Sequence, residues 1–227
     1  MAFVQKGQLS RRRMLQGAAA FALVPFVAVR SAAAAVAPAA SAATPLDPGT
    51  VQTLEAFADT IVPGQPRFPG DAAVLGAAPG PSAAAAGAIT AYQMPEVGVA
   101  PELPGIAQLI NGRAQQYAGA NNITLDPTLP PFVALSFGDR TTLAGQMLAV
   151  GDPMETIAVL LATFANWTFD MACYEHTTDA IATGHPGLAW LGFPAPGSDG
   201  LWRFPAFSYG RQLAALNPKT TYSGSPA

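Results

Sequence analysis

Cysteine is almost missing from this 227-residue chain, and Cys173 alone can form neither an internal disulfide nor a zinc site built on cysteine pairs. No C-x-x-C-H occurs, which excludes a covalently attached c-type haem. There is no G-x-G-x-x-G after a strand and no phosphate-cradling loop with a lysine, so nucleotides and dinucleotides have no recognisable home. No segment alternates apolar and polar residues between hairpin turns, which points away from β-structure and toward an all-α fold. Charge is scarce too, at 11% of residues. All fourteen Asp and Glu lie from Asp47 onward, against six Lys plus Arg in the same stretch, a formal net charge of −8 there. Such a surface makes nucleic acid and anionic lipid poor partners.

The basic residues that are present concentrate at the start. Ser10-Arg11-Arg12-Arg13-Met14-Leu15-Gln16 precedes an apolar run from Gly17 to Val29, and small residues from Ser31 to Ala43 follow. These three regions read as a twin-arginine export signal over residues 1–35, with Arg11, Arg12 and Leu15 carrying the motif. A general secretory signal with a chance arginine cluster is the competing reading. The apolar run of 13 residues falls short of the roughly 20 that a bilayer span needs. Ala33–Ala35 and Ala40–Ala42 both fit the small-x-small cleavage rule. Residues 36–46 read as an Ala/Pro-rich linker and 47–227 as one domain, whose tail over 185–227 is expected to be irregular. The twin-arginine route carries folded proteins, so the localisation expected is the cell envelope, periplasmic or extracellular.

Helices are predicted from periodicity and punctuation. Asp47-Pro48 opens a helix over Pro48–Ile61 that Pro63-Gly64 stops. A short helical piece over Gly70–Ala78 and an alanine-rich helix capped by Ser82 and ending near Tyr92 follow. Gly105–Gly119 is helical, and Asp139 caps a helix through Val150. From Met154 the pattern runs without a breaker to Thr183, ended by Gly184. This helix of about thirty residues is expected to be the spine of an irregular helical bundle, with Ile157, Leu160, Leu161, Phe164, Trp167, Met171 and Tyr174 on its apolar side. Beyond His185, prolines and glycines argue against regular structure. Trp190, Phe193, Trp202, Phe204, Phe207 and Tyr209 nevertheless give the tail apolar area that must pack on the helices or on another protein, which makes these six the candidate partner interface.

Chemistry-bearing residues are few. Asp170, Glu175, His176, Asp179 and His185 cluster in and after the long helix, but a di-metal carboxylate bundle needs a Glu-x-x-His on each of two helices, and neither is present. Helix-surface polarity is therefore the preferred reading. Asp59, at the C-terminal end of the first helix where the helix dipole opposes a carboxylate, is expected to cap the Pro63–Gly70 loop through donors from the turn or from Arg67. Cys173, in a largely apolar setting, reads as a packed thiol.

Leu54-Glu55-Ala56-Phe57-Ala58-Asp59-Thr60-Ile61-Val62-Pro63-Gly64, then Phe68-Pro69-Gly70-Asp71-Ala72 and Val74-Leu75-Gly76, resembles the opening of the gluconate 2-dehydrogenase subunit 3 family. Gly187-Leu188-Ala189-Trp190-Leu191-Gly192-Phe193-Pro194-Ala195-Pro196 is similar to that family's aromatic-glycine-proline tail segment. The Ala/Pro-rich stretch from Ala77 to Ala86 departs from the family pattern, as expected of a divergent branch. The resemblance implies a small, cofactor-free subunit, with catalysis in its partner; the residue pattern likewise leaves no metal site expected. It would accompany a flavoprotein oxidoreductase of the glucose/methanol/choline type, sometimes with a cytochrome subunit, and support its folding and its passage through the twin-arginine translocase. FAD would then reside in the partner. The alternative is a stand-alone secreted α-helical enzyme or metal-carboxylate protein using Asp170, Glu175 and His176.

Overall fold

The structure, a computed structural model, describes residues 45–198. The leader with Arg11, Arg12 and Leu15, the linker as far as residue 44, and Trp202, Phe204, Phe207 and Tyr209 lie outside the described residues. Among the described residues there is no strand, and the fold is all-α. Seven helices follow one another: α1 Pro48–Ile61, α2 Ala88–Tyr92, α3 Leu103–Ala120, α4 Phe137–Met147, α5 Glu155–Met171, α6 Thr177–Thr183 and α7 Pro186–Leu191.

α1 begins and ends where its punctuation places it. Asp47 caps it, accepting from the Thr50 amide at 2.9 Å, and Pro48 occupies a first-turn position whose N–H would be idle anyway. It is the central helix, packed against α2, α3, α4 and α5. Leu54, Ala56, Phe57 and Ala58 are buried on several sides of it rather than along one stripe. α3 is simpler: Leu103, Ile106, Ala107, Ile110, Ala114 and Ala118 recur at helical spacing and are all buried. Phe57 and Phe132 meet with ring centroids 6.2 Å apart, and around them Leu103, Ile110, Leu135, Leu143, Met147 and Leu161 complete the main core. Each such side chain contributes about 1.5–3 kcal/mol on burial. Tyr92 ties α2 to α5 by donating to the Leu161 carbonyl at 3.0 Å.

The structure corrects several expected elements. The thirty-residue helix is two helices: α5 stops at Met171 because Ala172 adopts the left-handed conformation at φ 51°, fully buried against Ala180 and Leu188. Packing thus overrides a sequence without any breaker. His176 then caps α6, where Thr177-Thr178-Asp179 supplies a fresh helix start. The spine is accordingly α1, with α5 alongside, rather than a single long helix in the C-terminal half. Gly70–Ala78 forms bends instead of a helix, since its amides are taken by carboxylates, Val74 by Asp71 and Leu75 by Asp59. The segment after Ser82 forms turns, and only Ala88–Tyr92 is helical. Ser136 rather than Asp139 caps α4, which ends at Met147. The tail is regular at its start: His185 caps α7, Pro186 opens it and Gly192 closes it at φ 66°. No helix among the described residues is long and apolar enough to cross a membrane.

Candidate interaction surface

The segment between α1 and α2 is immobilised by charge. Asp59 is fully buried and accepts from the amides of Gly64 and Leu75, both at 3.2 Å, so it caps the loop as expected, with the backbone as donor. Arg67 turns elsewhere, to Glu55 in a bidentate pair and to Asp71 at 2.7 Å. Burial works to raise the Asp71 carboxyl, but the Arg67 bonds and charge hold it below its ordinary value. Burial raises that of Asp59, opposed by its two amide bonds and by the Arg140 charge.

Arg140 is the residue that sequence reading missed. It is fully buried, its Nη1 donates to the Ala73 carbonyl at 2.7 Å, and its Nη2 to those of Ala72, at 2.9 Å, and Val133. Its Nε has no hydrogen-bond partner, and burial pulls its pKa down to about 10 against the favourable charges of Asp59 and Asp71. A signal was available. Arg140 stands at i−3, i−4 and i−7 from Leu143, Ala144 and Met147, on the buried stripe of α4. The guanidinium thus ties α4 to the carbonyls of Ala72 and Ala73 in the segment between α1 and α2.

The ionisable cluster of the second half does not converge. Asp170 is exposed at the end of α5, and His176 is exposed and engaged with Thr178 through Nδ1 at 2.7 Å. Glu175 stands in the turn between α5 and α6, and Asp179 is exposed in the first turn of α6. Among the described residues no group of three His, Cys, Asp or Glu side chains is arranged to hold a metal ion. His185 is buried. Its Nδ1 accepts from the Leu188 amide at 3.3 Å, which leaves Nε2 to donate to the Ala86 carbonyl at 3.0 Å. Tyr174 donates to that same carbonyl at 3.1 Å, and the Tyr174 and His185 rings lie 5.9 Å apart. Cys173 is half-buried with its sulfur 3.6 Å from the Thr168 hydroxyl.

These contacts mount α6 and α7 on the body. Gly80 and Gly87 both have positive φ, at 85° and 95°, and a side-chain carbon on either would fall 2.6 Å from the Trp190 ring or 2.7 Å from the Tyr174 hydroxyl. Only glycine lets these rings lie on the backbone. Phe193, one of the expected interface residues, is half-buried and packs against the cluster of Ala172, Ala180 and Leu188. Trp190 remains 57% exposed despite covering Gly80.

Exposed apolar area gathers on α5 and α7. Ile157, Leu160, Phe164, Trp167 and Met171 follow one another at i, i+3, i+7, i+10 and i+14, beside the buried stripe of Ala158, Leu161, Ala165, Thr168 and Ala172. Phe164 and Trp167 meet edge to face at 5.3 Å, yet Trp167 is 44% and Met171 47% exposed. Trp190 and Leu191 add two more exposed side chains on α7. The open depression of about 340 Å³ between α3 and α4 is a weaker candidate: of its lining groups, Arg113 is paired with Asp152 at 2.9 Å and Tyr117 with Asp139 at 3.0 Å. The arrangement on α5 and α7 is suited to binding apolar surface.

A family model described as a family of unknown function (DUF5987) matches residues 48–227. No curated protein and no solved structure matches the chain.

Proposed function

We propose, for a chain that belongs to this family of unknown function, that it is an exported, non-catalytic accessory subunit which binds a flavin-dependent oxidoreductase and assists that partner's folding and twin-arginine export. The observation that carries this reading is the apolar side-chain set left exposed on α5 and α7, Trp167, Met171, Trp190 and Leu191, in a chain whose leader has the form of a signal for folded cargo. Interfaces favour Trp and Met, and a folded-export signal is useful to a partner that acquires FAD before crossing. The similarity of Leu54–Gly76 and Gly187–Pro196 to the gluconate 2-dehydrogenase subunit 3 family supports the same reading and gives the class of partner, sometimes joined by a cytochrome subunit. The interface is placed around Trp190, continued by the aromatic tail segment.

The test is the fate of a flavoprotein that has no signal of its own. Pull-down of the chain is expected to recover an FAD-containing polypeptide, and Arg11→Lys with Arg12→Lys is expected to strand that polypeptide in the cytoplasm. Unchanged export of every flavoprotein in the double variant would remove the basis of the proposal.

A further inference from the structure

The last turn of α5 carries a carboxylate that the fold does not use. Asp170 is exposed and makes no hydrogen bond or ion pair with any described residue. It stands at the C-terminal end of its helix, where the dipole opposes a negative charge, and no basic residue in that turn offsets it. Asp59 meets the same opposition at the end of α1 and is offset there by two loop amides. Asp170 has no such partner.

Beside it stands an indole with free surface. Trp167 lies three residues before Asp170, one turn away on the same side of the helix. A helical side chain leans back over the turn that precedes it, which carries the Asp170 carboxylate toward the Trp167 ring. Phe164 meets that ring edge to face at 5.3 Å and fixes its orientation, yet 44% of Trp167 stays exposed. Met171 continues the exposed apolar surface past the carboxylate. An indole face, a carboxylate and the negative end of a helix all favour a cation. Arginine fits better than lysine, because its planar guanidinium stacks on an indole while its N–H groups reach a carboxylate two at a time.

The described residues have no such cation to spare. Residues 45–198 contain no lysine, and their three arginines are engaged: Arg67 with Glu55 and Asp71, Arg113 with Asp152, and Arg140 with loop carbonyls. A second copy meeting this one through the same turn would set Asp170 against Asp170, and an anionic lipid surface would be repelled. We propose that Trp167 and Asp170 form a receptor for one arginine side chain of a partner protein, with Met171 as the apolar contact beside it. On the accessory-subunit reading, which supplies the partner, that arginine belongs to the flavoprotein. It adds a directional anchor to an interface whose other exposed side chains, Trp190 and Leu191, give area.

The experiment follows the Trp167 indole N–H by NMR in the purified mature chain, the signal being assigned by its loss in Trp167→Phe. The probe is N-acetyl-arginine amide, and its neutral isostere N-acetyl-citrulline amide is the control. A shift at least about threefold larger with arginine is expected, cut about two- to fivefold in Asp170→Asn, as for an exposed cation–π contact joined to an exposed ion pair. Equal shifts from the two probes, or a response unchanged in Asp170→Asn, overturn the proposal. A Trp167 signal that moves when Arg203 and Arg211 are replaced by Gln would make the chain's own tail the occupant and overturn it as well. In the complex recovered by pull-down, Asp170→Asn is expected to weaken binding about two- to fivefold and to open one partner arginine to phenylglyoxal. No change in either sinks the assignment to the partner. Failure to recover any flavoprotein bears on the accessory-subunit reading alone, since the titration of the free chain needs no partner.

Discussion

The segment between α1 and α2 is held by charged groups, whereas the limb after Ala172 is held by rings and close backbone approach. In the first, one guanidinium serves two of the loop's carbonyls and two carboxylates collect its amides, so a stretch with few large side chains acquires a fixed path. In the second, Tyr174 and Trp190 rest on glycines and α7 touches the backbone of α5. Charge anchors give geometry without area. Rings give area, and a ring seated by one face leaves the other to solvent, as Trp190 does. Arg67 and Arg140 are thus engaged with that loop, while Trp167, Met171, Trp190 and Leu191 leave exposed apolar area on α5 and α7.

The strongest way to break this contrast is Arg140→Met. It leaves the carbonyls of Ala72, Ala73 and Val133 without their donor and Asp59 without its nearest positive charge, and a loss of about 3–5 kcal/mol is expected in urea denaturation. A loss under about 1 kcal/mol would show that the loop is held by packing instead. Gly187→Ala tests the other region. An added Cβ would lie 2.1 Å from the Phe169 carbonyl oxygen, so α7 must lift from α5 at a cost of about 2–3 kcal/mol. Faster hydrogen exchange is expected at Leu188 and Ala189, with the Asp71 to Val74 amides unaffected.

The smallest effect sharpens the comparison through pH. Asp71 has a folded pKa below its unfolded value, so its stabilisation is complete above about pH 4 and is lost as pH falls through the folded value. Asp59 runs the other way, being easier to protonate when folded, and offsets part of that loss. Asp71→Asn is therefore expected to lower the urea midpoint at pH 7 and to flatten its decline between pH 5 and pH 3. An unchanged acid limb would place the acid sensitivity elsewhere.

Much of the fold was legible because its signals were local. Asp47-Pro48 and Pro63-Gly64 bracket α1 at the residues where it begins and ends, and Asp59 betrayed its loop-capping role by its position against the helix dipole. α7 carried a comparable signal in His185-Pro186 and Gly192, obscured by the density of prolines around it. The break at Ala172 was not legible, because an alanine in the left-handed conformation is chosen by burial against Ala180 and Leu188 and not by its own preference. The exposed stripe was visible as apolar periodicity, but which side of α5 faces the core depends on α1, α2 and α4, and no local pattern specifies that.

Tyr174 and His185 converge on the carbonyl of Ala86, which precedes them by 88 and 99 residues. That carbonyl has to wait for most of the chain to be synthesised before either donor exists. The early turn and the late limb can be locked together only as synthesis nears its end, long after the amino-terminal arginines have emerged. On the export proposed above, a route that accepts only folded cargo would act after this last joint has closed.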